Sequence, residues 1–518
     1  MNFTKVALFV LVLCSSQFVF AQATVMNPGE AVGQLVYLTS QDVISESPKF
    51  KSLNPLSIPV FEELPMDLSV VAGSITLKQQ NLLSHVQLKS RARKTPNLDI
   101  SKLAGGFNNE LLKPFADAAW IRMLLTADGK ITLEPSTEQA ATAFYEQKKV
   151  VPVQLQSDVQ TSTLFTTDQL GSADYIKVGS KAANYAEITK LLNTSSRTVV
   201  RPGFAIPFFY YQEFIQANPT IETAIKQINN DPLMRKISRV TYRETKLNAL
   251  RALMMSPTNV VSQKLVNDLI NIFEKVRTKE NLPSKIKLRS STNSEDLPNF
   301  NGAGLYSSES YKPASKGKER TLAEKQESLK LALRTVWSSV WNLRAYDERN
   351  FFGIPHLDVK MGIQVNPSFG DEQVDGVVAT KNIAGRPDLQ GPGVYIEAQR
   401  GDTFSVANPD PGIKPEKILV LIDRSALLEM SRYQVHILQK SNIADDTKTI
   451  LSNENPKPIM SDEEIKDLVF QSLKAEAHLK TVLDPKNDNF TLDLEFKVDS
   501  ENTGARQVYI KQARPYID

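Results

Sequence analysis

A polar segment between residues 289 and 306 restricts what this chain can fold into more than any other. It begins with Arg289, continues through hydroxyl, amide and acidic side chains, and reaches Gly302 and Gly304 just before Tyr306. Glycine lets the backbone approach a ligand closely, and successive N–H groups in such a loop can surround an anion. An arginine beside the loop can pair with phosphate oxygens through its planar guanidinium group. The segment therefore indicates a phosphate-binding loop, although a strand ending in a polar turn would also explain it.

The chain is long enough for two to four domains, each with its own core. Its 518 residues include 61 basic and 58 acidic side chains. This near balance gives no reason to expect a nucleic acid partner. No segment after residue 23 has the length and apolarity of a membrane span, so we expect none.

The first 23 residues have the pattern of a secretory signal peptide. A short positive start is followed by the apolar run Val6–Leu13 and by small residues around Ala21 and Ala23 that suit cleavage. We therefore expect an exported protein, periplasmic or secreted. A lipoprotein anchor at Cys14 is the alternative, but the bulky Leu13 before it disfavours one. Since Cys14 is the single cysteine, the processed chain would contain no disulfide, thiolate zinc site or cysteine nucleophile.

Composition divides the rest of the chain into two blocks. Residues 24–155 contain β-like runs at 33–38 and 68–72, a helical pattern over 108–125 and a strand-like run at 149–155. Residues 156–172 are rich in Ser, Thr, Asp and Gly, which is typical of a linker. Residues 173–518 mix helical and strand patterns, including one helix predicted over 329–349. Ser461 and Glu464 form a capping box before another predicted helix.

Two strand-like segments near the end of the second block carry charged and amide side chains. Asp493 and Glu495 are two residues apart in one segment, and Gln512 and Arg514 are two apart in the other. Residues two apart on a strand share a face, so a hairpin can place these pairs side by side. Two carboxylates and an amide oxygen suit Mg²⁺, and Arg514 would then neutralise phosphate charge. An exposed ladder of ion pairs is the structural alternative.

A lysine follows a glycine turn at the start of the second block. Lys181 lies two residues after Gly179, at the predicted N-terminus of a helix that extends to Leu192. Helix N-termini favour anions, and the lysine adds a positive charge. Taken alone, the pattern is more often a solvated lysine in a helix cap.

Six segments occur in an order that resembles one known family. They are Val178–Asn184, Arg289–Leu297, Ser338–Ala345, Gly376–Thr380, Asp493–Glu495 and Gln512–Pro515. Over residues 173–518 they resemble the nucleotide-binding domain of the pyruvate phosphate dikinase and phosphoenolpyruvate synthase superfamily. The resemblance implies an α+β fold of the ATP-grasp class, in which two subdomains hold ATP and Mg²⁺ between them.

The resemblance also implies roles for individual residues. The implied ATP-binding residues are Lys181, Arg289, Gly302, Gly304, Gln364, Glu397, Gln512 and Arg514, of which Gln364 and Glu397 match less securely. The implied metal ligands are Glu495 and Gln512, with Asp493 in support.

Enzymes of this superfamily carry the phosphoryl group on a histidine, and the chain has four. The segment around His85, over residues 65–97, resembles the phosphohistidine domain of the α-glucan, water dikinases. The resemblance implies that residues 24–155 form a small α/β swivelling domain with His85 catalytic, together with Lys181 and Arg289. A structural role for His85 is the alternative. His356 follows a turn, His436 lies in a predicted strand, and His478 is expected to face solvent.

These expectations combine into an ATP-dependent phosphotransferase in which His85 passes a phosphoryl group to an unidentified acceptor. The sequence ends at Asp518, directly after the Arg-Pro motif, so we do not expect a pyruvate-binding barrel in this chain. A glycan, a small molecule or a second protein could be the acceptor. The rival hypotheses are a catalytically silent ATP-binding module and an exported glycan-binding protein on the same fold.

Overall fold

The computed structural model describes residues 23–65, 68–148, 153–280, 285–295, 297, 300, 302, 304–315, 318–406, 409–410, 412–500 and 504–516. The predicted signal peptide, residues 1–23, falls outside these ranges except for its last residue. Within the described part of the chain, no helix has both the length and the apolar character needed to cross a membrane.

Residues 23–148, the N-terminal unit, are built on one seven-stranded sheet. Its strands are β1 (Thr24–Asn27), β2 (Gly29–Leu38), β3 (Ser57–Phe61), β4 (Ser74–Thr76), β5 (Asn97–Asp99), β6 (Trp120–Leu125) and β7 (Ile131–Pro135). Their spatial order is β1-β5-β4-β3-β2-β6-β7. The strands from β5 to β2 pair in parallel, and both edges pair antiparallel. Parallel strands need crossover connections; helices lie in the connections from β2 to β3 and from β4 to β5, whereas the described residues between β3 and β4 form no helix.

Four helices accompany this sheet: α1 (Ser40–Ile44), α2 (Pro48–Lys51), α3 (His85–Ala92) and α4 (Glu138–Gln147). Helix α3 begins at His85 because the Ser84 side chain caps it, accepting the backbone N–H of Gln87 at 3.2 Å. Buried amides hold α3 to β5, since Asn97 Nδ2 donates to Gln87 Oε1 at 2.8 Å and to Gln80 Oε1 at 2.8 Å.

Residues 153–516, the C-terminal unit, contain two larger sheets and a short two-stranded one. The five-stranded sheet has the order β11-β10-β14-β9-β8 and consists of β8 (Phe165–Thr166), β9 (Phe204–Ile206), β10 (Ile286–Thr292), β11 (Glu309–Tyr311) and β14 (Met361–Pro367). The six-stranded sheet has the order β18-β17-β16-β15-β19-β20 and consists of β15 (Glu372–Ala379), β16 (Gly393–Arg400), β17 (Glu416–Leu421), β18 (Gln434–Gln439), β19 (Leu492–Asp499) and β20 (Gln507–Pro515). Strands β12 (Ala314–Ser315) and β13 (Lys318–Glu319) form the short sheet. Together with the helices, these sheets give the α+β class.

The helices of the C-terminal unit are α5 (Tyr175–Val178), α6 (Ser180–Leu192), α7 (Phe208–Gln216), α8 (Pro219–Asn230), α9 (Val240–Met255), α10 (Gln263–Glu280), α11 (Leu322–Ser338), α12 (Leu343–Phe351) and α13 (Asp462–Leu483). Helix α6 lies between the two larger sheets. Ala183 and Ala186 pack with Ala205 of β9, whereas Ile188 and Leu192 join the core of the six-stranded sheet. One helix therefore contacts both sheets.

Several local predictions are confirmed and others are wrong. The capping box at Ser461 and Glu464 begins α13, as predicted. The helix predicted over 108–125 is wrong, because Trp120–Leu125 alternate between buried and half-buried positions and form β6. The run at 68–72 forms no strand, and neither do residues 153–155; residues 149–152 lie outside the described residues. The helix predicted over 329–349 is interrupted by a 3-10 turn at Ser339–Trp341.

The interval 156–172, predicted to be a linker, is held to the C-terminal unit along much of its length. Its strand β8 pairs with β9. The Ser162 carbonyl accepts the Tyr210 hydroxyl at 2.9 Å, and the Gln156 carbonyl accepts Asn293 Nδ2 at 3.1 Å. The polar composition of this segment reflects loop hydrogen bonding to the C-terminal unit, because loops satisfy their backbone groups in this way.

Candidate functional site

The N-terminus of α6 packs directly on strand β10. Gly179 has φ +86°, and a Cβ at this position would lie 2.4 Å from the carbonyl carbon of Ser291. Two hydrogen bonds fix the contact: Ala182 N donates to Ser291 Oγ at 3.0 Å, and Ser180 Oγ donates to the Glu295 carbonyl at 3.0 Å. Only glycine permits this approach. The turn at Gly179 therefore places the first turn of α6 beside the polar segment that begins at Arg289.

Lys181 projects from this first turn onto Glu295. Its Nζ lies 3.1 Å from Glu295 Oε1 and 3.4 Å from Ser290 Oγ. The other oxygen of Glu295, Oε2, accepts the backbone N–H of Thr292 at 2.9 Å. Glu295 therefore orients the lysine, a role that the sequence analysis missed. Its position inside the polar segment was the available signal.

The glycine loop folds back over Glu295. A Cβ on Gly302 would lie 2.7 Å from Glu295 Cγ, and Gly304 has φ +68°. Residues 296, 298, 299, 301 and 303 lie outside the described residues. The loop ends at Tyr306, whose hydroxyl is 3.0 Å from Ser294 Oγ. Both glycines thus occupy positions where a side chain would clash or where the backbone is left-handed.

Arg289 and Gln364 form a register pair across β10 and β14. Arg289 Nε and Gln364 Oε1 are both buried and have no hydrogen-bond partner among the described residues. A buried polar atom without a partner costs free energy, so such atoms in a native protein often indicate a ligand site. Lys287 lies two residues before Arg289, and burial together with the neighbouring cations lowers its pKa. Sequence reasoning did not identify this additional cation.

The final hairpin has the predicted register. Asp493 lies opposite Arg514, and Glu495 lies opposite Gln512. Arg514 donates from Nε at 2.8 Å and from Nη2 at 2.5 Å, both times to Asp493 Oδ2. Asp493 is 3% exposed and Arg514 is 8% exposed. The pair is therefore buried, which excludes the exposed ion-pair ladder for these two residues.

A β-bulge brings a further lysine to Glu495. Glu495 pairs with Gln512 but Phe496 pairs with Ile510, so Lys511 is the extra residue of β20. Lys511 Nζ lies 2.9 Å from Glu495 Oε2. Burial alone would raise the pKa of Glu495, but Lys511, Arg289 and Arg514 together hold this pKa well below its usual range. Glu495 is thus ionised at neutral pH and lies within the electrostatic reach of Arg289.

Glu397 lies on the same face of the six-stranded sheet. Val377 of β15 is opposite both Glu397 and Glu495, so the three residues form one row across β16, β15 and β19. Glu397 is fully buried; its Oε1 accepts the Tyr395 hydroxyl at 3.0 Å, and its Oε2 has no hydrogen-bond partner among the described residues. Burial raises the pKa of Glu397. The rise is opposed by the charge of Lys417, by the Tyr395 hydroxyl and by the backbone N–H of Leu82.

The segment before α3 covers this face. Leu83 and Leu88 form an apolar cluster with Ala379, Tyr395 and Tyr516 of the C-terminal unit. Helix α3 therefore begins, at His85, close to the row that contains Glu397. The described part of His85 is its backbone.

The other three histidines all lie in the C-terminal unit. In His356, Nδ1 accepts Arg349 Nε at 3.0 Å, the ring stacks on Tyr346 at 3.8 Å, and burial lowers its pKa well below the usual value. His436 lies on β18 as predicted. His478 was expected to face solvent; its side chain is 31% exposed, and its Nε2 lies 2.9 Å from Glu187 Oε2 between α13 and α6.

The predicted residues thus form two groups. Lys181, Arg289, Gln364, Gly302 and Gly304 belong to α6, the five-stranded sheet and the glycine loop. Glu397, Asp493, Glu495, Gln512 and Arg514 lie on the six-stranded sheet. Arg289 links the groups, because its charge lowers the pKa of Glu495.

The metal prediction can be tested against the donor set. Among the described residues, no group of three or more His, Cys, Asp or Glu side chains is arranged to hold a metal ion. Mg²⁺ needs fewer protein ligands when substrate phosphates supply oxygens. The ionised Glu495 and the neighbouring Gln512 fit that requirement, whereas Asp493 is bound to Arg514 through Oδ2.

Comparison with known proteins identifies a family for most of the chain. A family model described as "Pyruvate phosphate dikinase, AMP/ATP-binding domain" matches residues 176–517. A curated relative, the phosphoenolpyruvate synthase of Aeropyrum pernix, is 22% identical over an alignment of 371 residues that covers 65% of this chain. The chain spans only 40% of the length of that relative. Since the family model covers most of the chain, the protein belongs to the pyruvate phosphate dikinase AMP/ATP-binding domain family.

Proposed function

We propose that this protein is a dikinase-type, ATP-dependent phosphotransferase in which His85 carries the transferred phosphoryl group. The five-stranded and six-stranded sheets act as the two subdomains of an ATP-grasp fold, with α6 between them. The observation that supports the proposal most is that the charge of Arg289, on the five-stranded sheet, reaches Glu495 in the acidic row of the six-stranded sheet. Lys181, which with Arg289 forms the cation group, contacts Ser290 next to Arg289, and Leu83 before α3 packs with Tyr395 beside the same acidic row.

The cations would bind the triphosphate. Lys181 exchanges its contact with Glu295 for a phosphate oxygen, and the unpaired Nε of Arg289 donates to another. Glu495 and Gln512 would hold Mg²⁺, which offsets phosphate charge and aligns the reacting groups when bound. Positioning and electrostatic stabilisation are the main sources of catalysis in phosphoryl transfer. The proposed ATP-binding residues therefore act by orientation rather than by covalent chemistry.

In the proposed reaction a ring nitrogen of neutral His85 bonds to the β-phosphorus of ATP. The bond from that phosphorus to the α–β bridging oxygen breaks, and AMP leaves. The γ-phosphoryl group is transferred to water and released as inorganic phosphate, while the β-phosphoryl group stays on His85. His85 is the first residue of α3, where the N–H groups of the first turn favour an anion such as a phosphorylated imidazole.

The phosphoryl group would pass from His85 to the acceptor in a second step. A glycan, a small molecule or a second protein is each compatible with the proposal. A pocket lined in part by Asn81, Ser84 and Val86 lies beside the start of α3. The N-terminal unit would move relative to the C-terminal unit between the two half-reactions, which domain motions commonly separate.

Labelled ATP tests the proposal. Purified protein is incubated with ATP labelled at the β or the γ position, and acid-labile, base-stable radioactivity on the protein is counted. We expect lasting label from the β position only, and none in a His85→Ala variant. A His436→Ala variant is the matched control and should label normally. Label that persists in His85→Ala would overturn the assignment, and binding of ATP without label in the parent protein would favour a silent ATP-binding module.

A further inference from the structure

Helix α3 is held at its two ends by different parts of the C-terminal unit. Leu83, just before the helix, and Leu88, its fourth residue, pack in one cluster with Ala379 and Tyr395 of the six-stranded sheet. At its end, the C-cap residue Arg93 pairs with a residue of α12, whose neighbours belong to the core of the five-stranded sheet. An eight-residue helix is about 12 Å long, so α3 spans the distance between these two attachment points.

The attachment at the end of α3 is a buried ion pair. Arg93 Nη2 lies 2.7 Å from Glu348 Oε1, and the two side chains are 1% and 4% exposed. Within its own unit Arg93 is fixed by the carbonyls of Ser69, at 2.7 Å, and Leu68, at 2.8 Å. The guanidinium group is therefore oriented before it meets Glu348. Removing one member of a buried pair leaves an uncompensated charge, so the docked arrangement needs both side chains.

Helix α12 is in turn tied to the glycine loop. Asn342, the residue before α12, donates from Nδ2 to the Leu305 carbonyl at 3.0 Å. Arg349, next to Glu348, approaches the Tyr306 hydroxyl at 3.5 Å. Leu305 and Tyr306 directly follow Gly304, so a shift of the loop would displace both of these contacts. A continuous set of contacts thus joins the glycine loop, α12, Arg93 and the helix that begins at His85.

We propose that Glu348 and Arg93 are positioning residues for the phosphoryl transfer. Their ion pair sets the placement of α3, and it relays the position of the glycine loop to His85. This inference rests on the proposed function for its catalytic consequence. Neither residue touches the nucleotide or the reacting nitrogen; both act through α3 and α12.

The test is a Glu348→Gln variant, which keeps the side-chain shape and removes the charge. We expect the dissociation constant for MgATP, measured by calorimetry, to stay within about two-fold, since the cation group is untouched. The single-turnover rate of His85 labelling should fall at least about ten-fold, because a displacement near 1 Å suffices for such a loss. Glu348→Asp, which keeps the charge, should restore part of the rate. An Asp467→Asn variant, which breaks the Arg197–Asp467 pair inside the C-terminal unit, is the control and should label normally.

Small-angle scattering supplies a readout that needs no phosphorylation. Glu348→Gln should increase the radius of gyration of the whole chain, and Asp467→Asn should not. An unchanged labelling rate in Glu348→Gln would overturn the inference. If the parent protein never labels, the proposed function fails, and unchanged scattering in Glu348→Gln would then overturn the docking role of the pair as well.

Discussion

Replacing Gly179 with alanine should disable nucleotide binding by separating α6 from β10. Its backbone has φ +86° and ψ 158°, a region that residues with a side chain avoid at a cost of about 1–3 kcal/mol. The added Cβ would lie 2.4 Å from the Ser291 carbonyl carbon and oxygen. Normal carbon contacts begin near 3.5 Å, so one of the two elements must move by about 1 Å, at a further cost of about 1–3 kcal/mol. We therefore expect the free energy of unfolding to fall by about 2–6 kcal/mol.

The same displacement moves Lys181 relative to Arg289, so affinity for MgATP should fall by about 100-fold if the variant folds. Urea denaturation and calorimetry measure the two quantities. Gly129→Ala is the matched control, because Gly129 also has φ +86° but a Cβ there would have no atom within 4 Å. It should cost only about 1–2 kcal/mol and leave MgATP affinity unchanged. Equal effects of the two substitutions, or full affinity in Gly179→Ala, would refute the reasoning.

Three further predictions concern charged residues. Arg289→Met should weaken MgATP binding by about 10- to 100-fold, measured by calorimetry, and should raise the pKa of Glu495, measured by NMR, because Arg289 helps to hold that pKa low. Asp493→Ala should reduce the free energy of unfolding by about 3 kcal/mol, since it leaves the buried Arg514 without its carboxylate. Burial raises the pKa of Glu416 from 4.5 to about 7. The protonated form of Glu416 therefore contributes its full stabilisation below pH 4.5, and this contribution is lost as the pH rises through 7. For the parent protein, the free energy of unfolding should fall by about 3 kcal/mol over this pH range, and for Glu416→Gln it should not. Denaturation curves measure the difference, and an equally steep pH dependence in the variant would contradict the assignment.

The sequence was sufficient for features that depend on local spacing. The period of two placed Asp493 with Glu495 and Gln512 with Arg514, and the structure has both pairs in the predicted hairpin. The glycine turn before Lys181 likewise begins a helix at the expected position. These features follow from neighbouring residues alone, so no knowledge of the tertiary fold was needed.

Features that depend on contacts between distant elements could not be predicted. The bulge that brings Lys511 to Glu495 is an irregularity of strand pairing, and the order of residues in β20 does not predict it. Arg93 and Glu348 lie in different units, and each has an unremarkable local pattern. The strand β6 was mistaken for a helix because its short alternating pattern is ambiguous until β2 and β7 pair with it on either side.

The central claim is that the C-terminal unit delivers the β-phosphoryl group of ATP to His85. Mass spectrometry of the protein after a single turnover tests it directly, with digestion by trypsin at alkaline pH to preserve phosphohistidine. The tryptic peptide 79–89 begins after Lys78, ends with Lys89 and contains His85 as its single histidine. We expect one phosphoryl group on that peptide. Its formation should require Mg²⁺ and should be abolished by Arg289→Met. Phosphate found on a peptide carrying His356, His436 or His478 instead would contradict it.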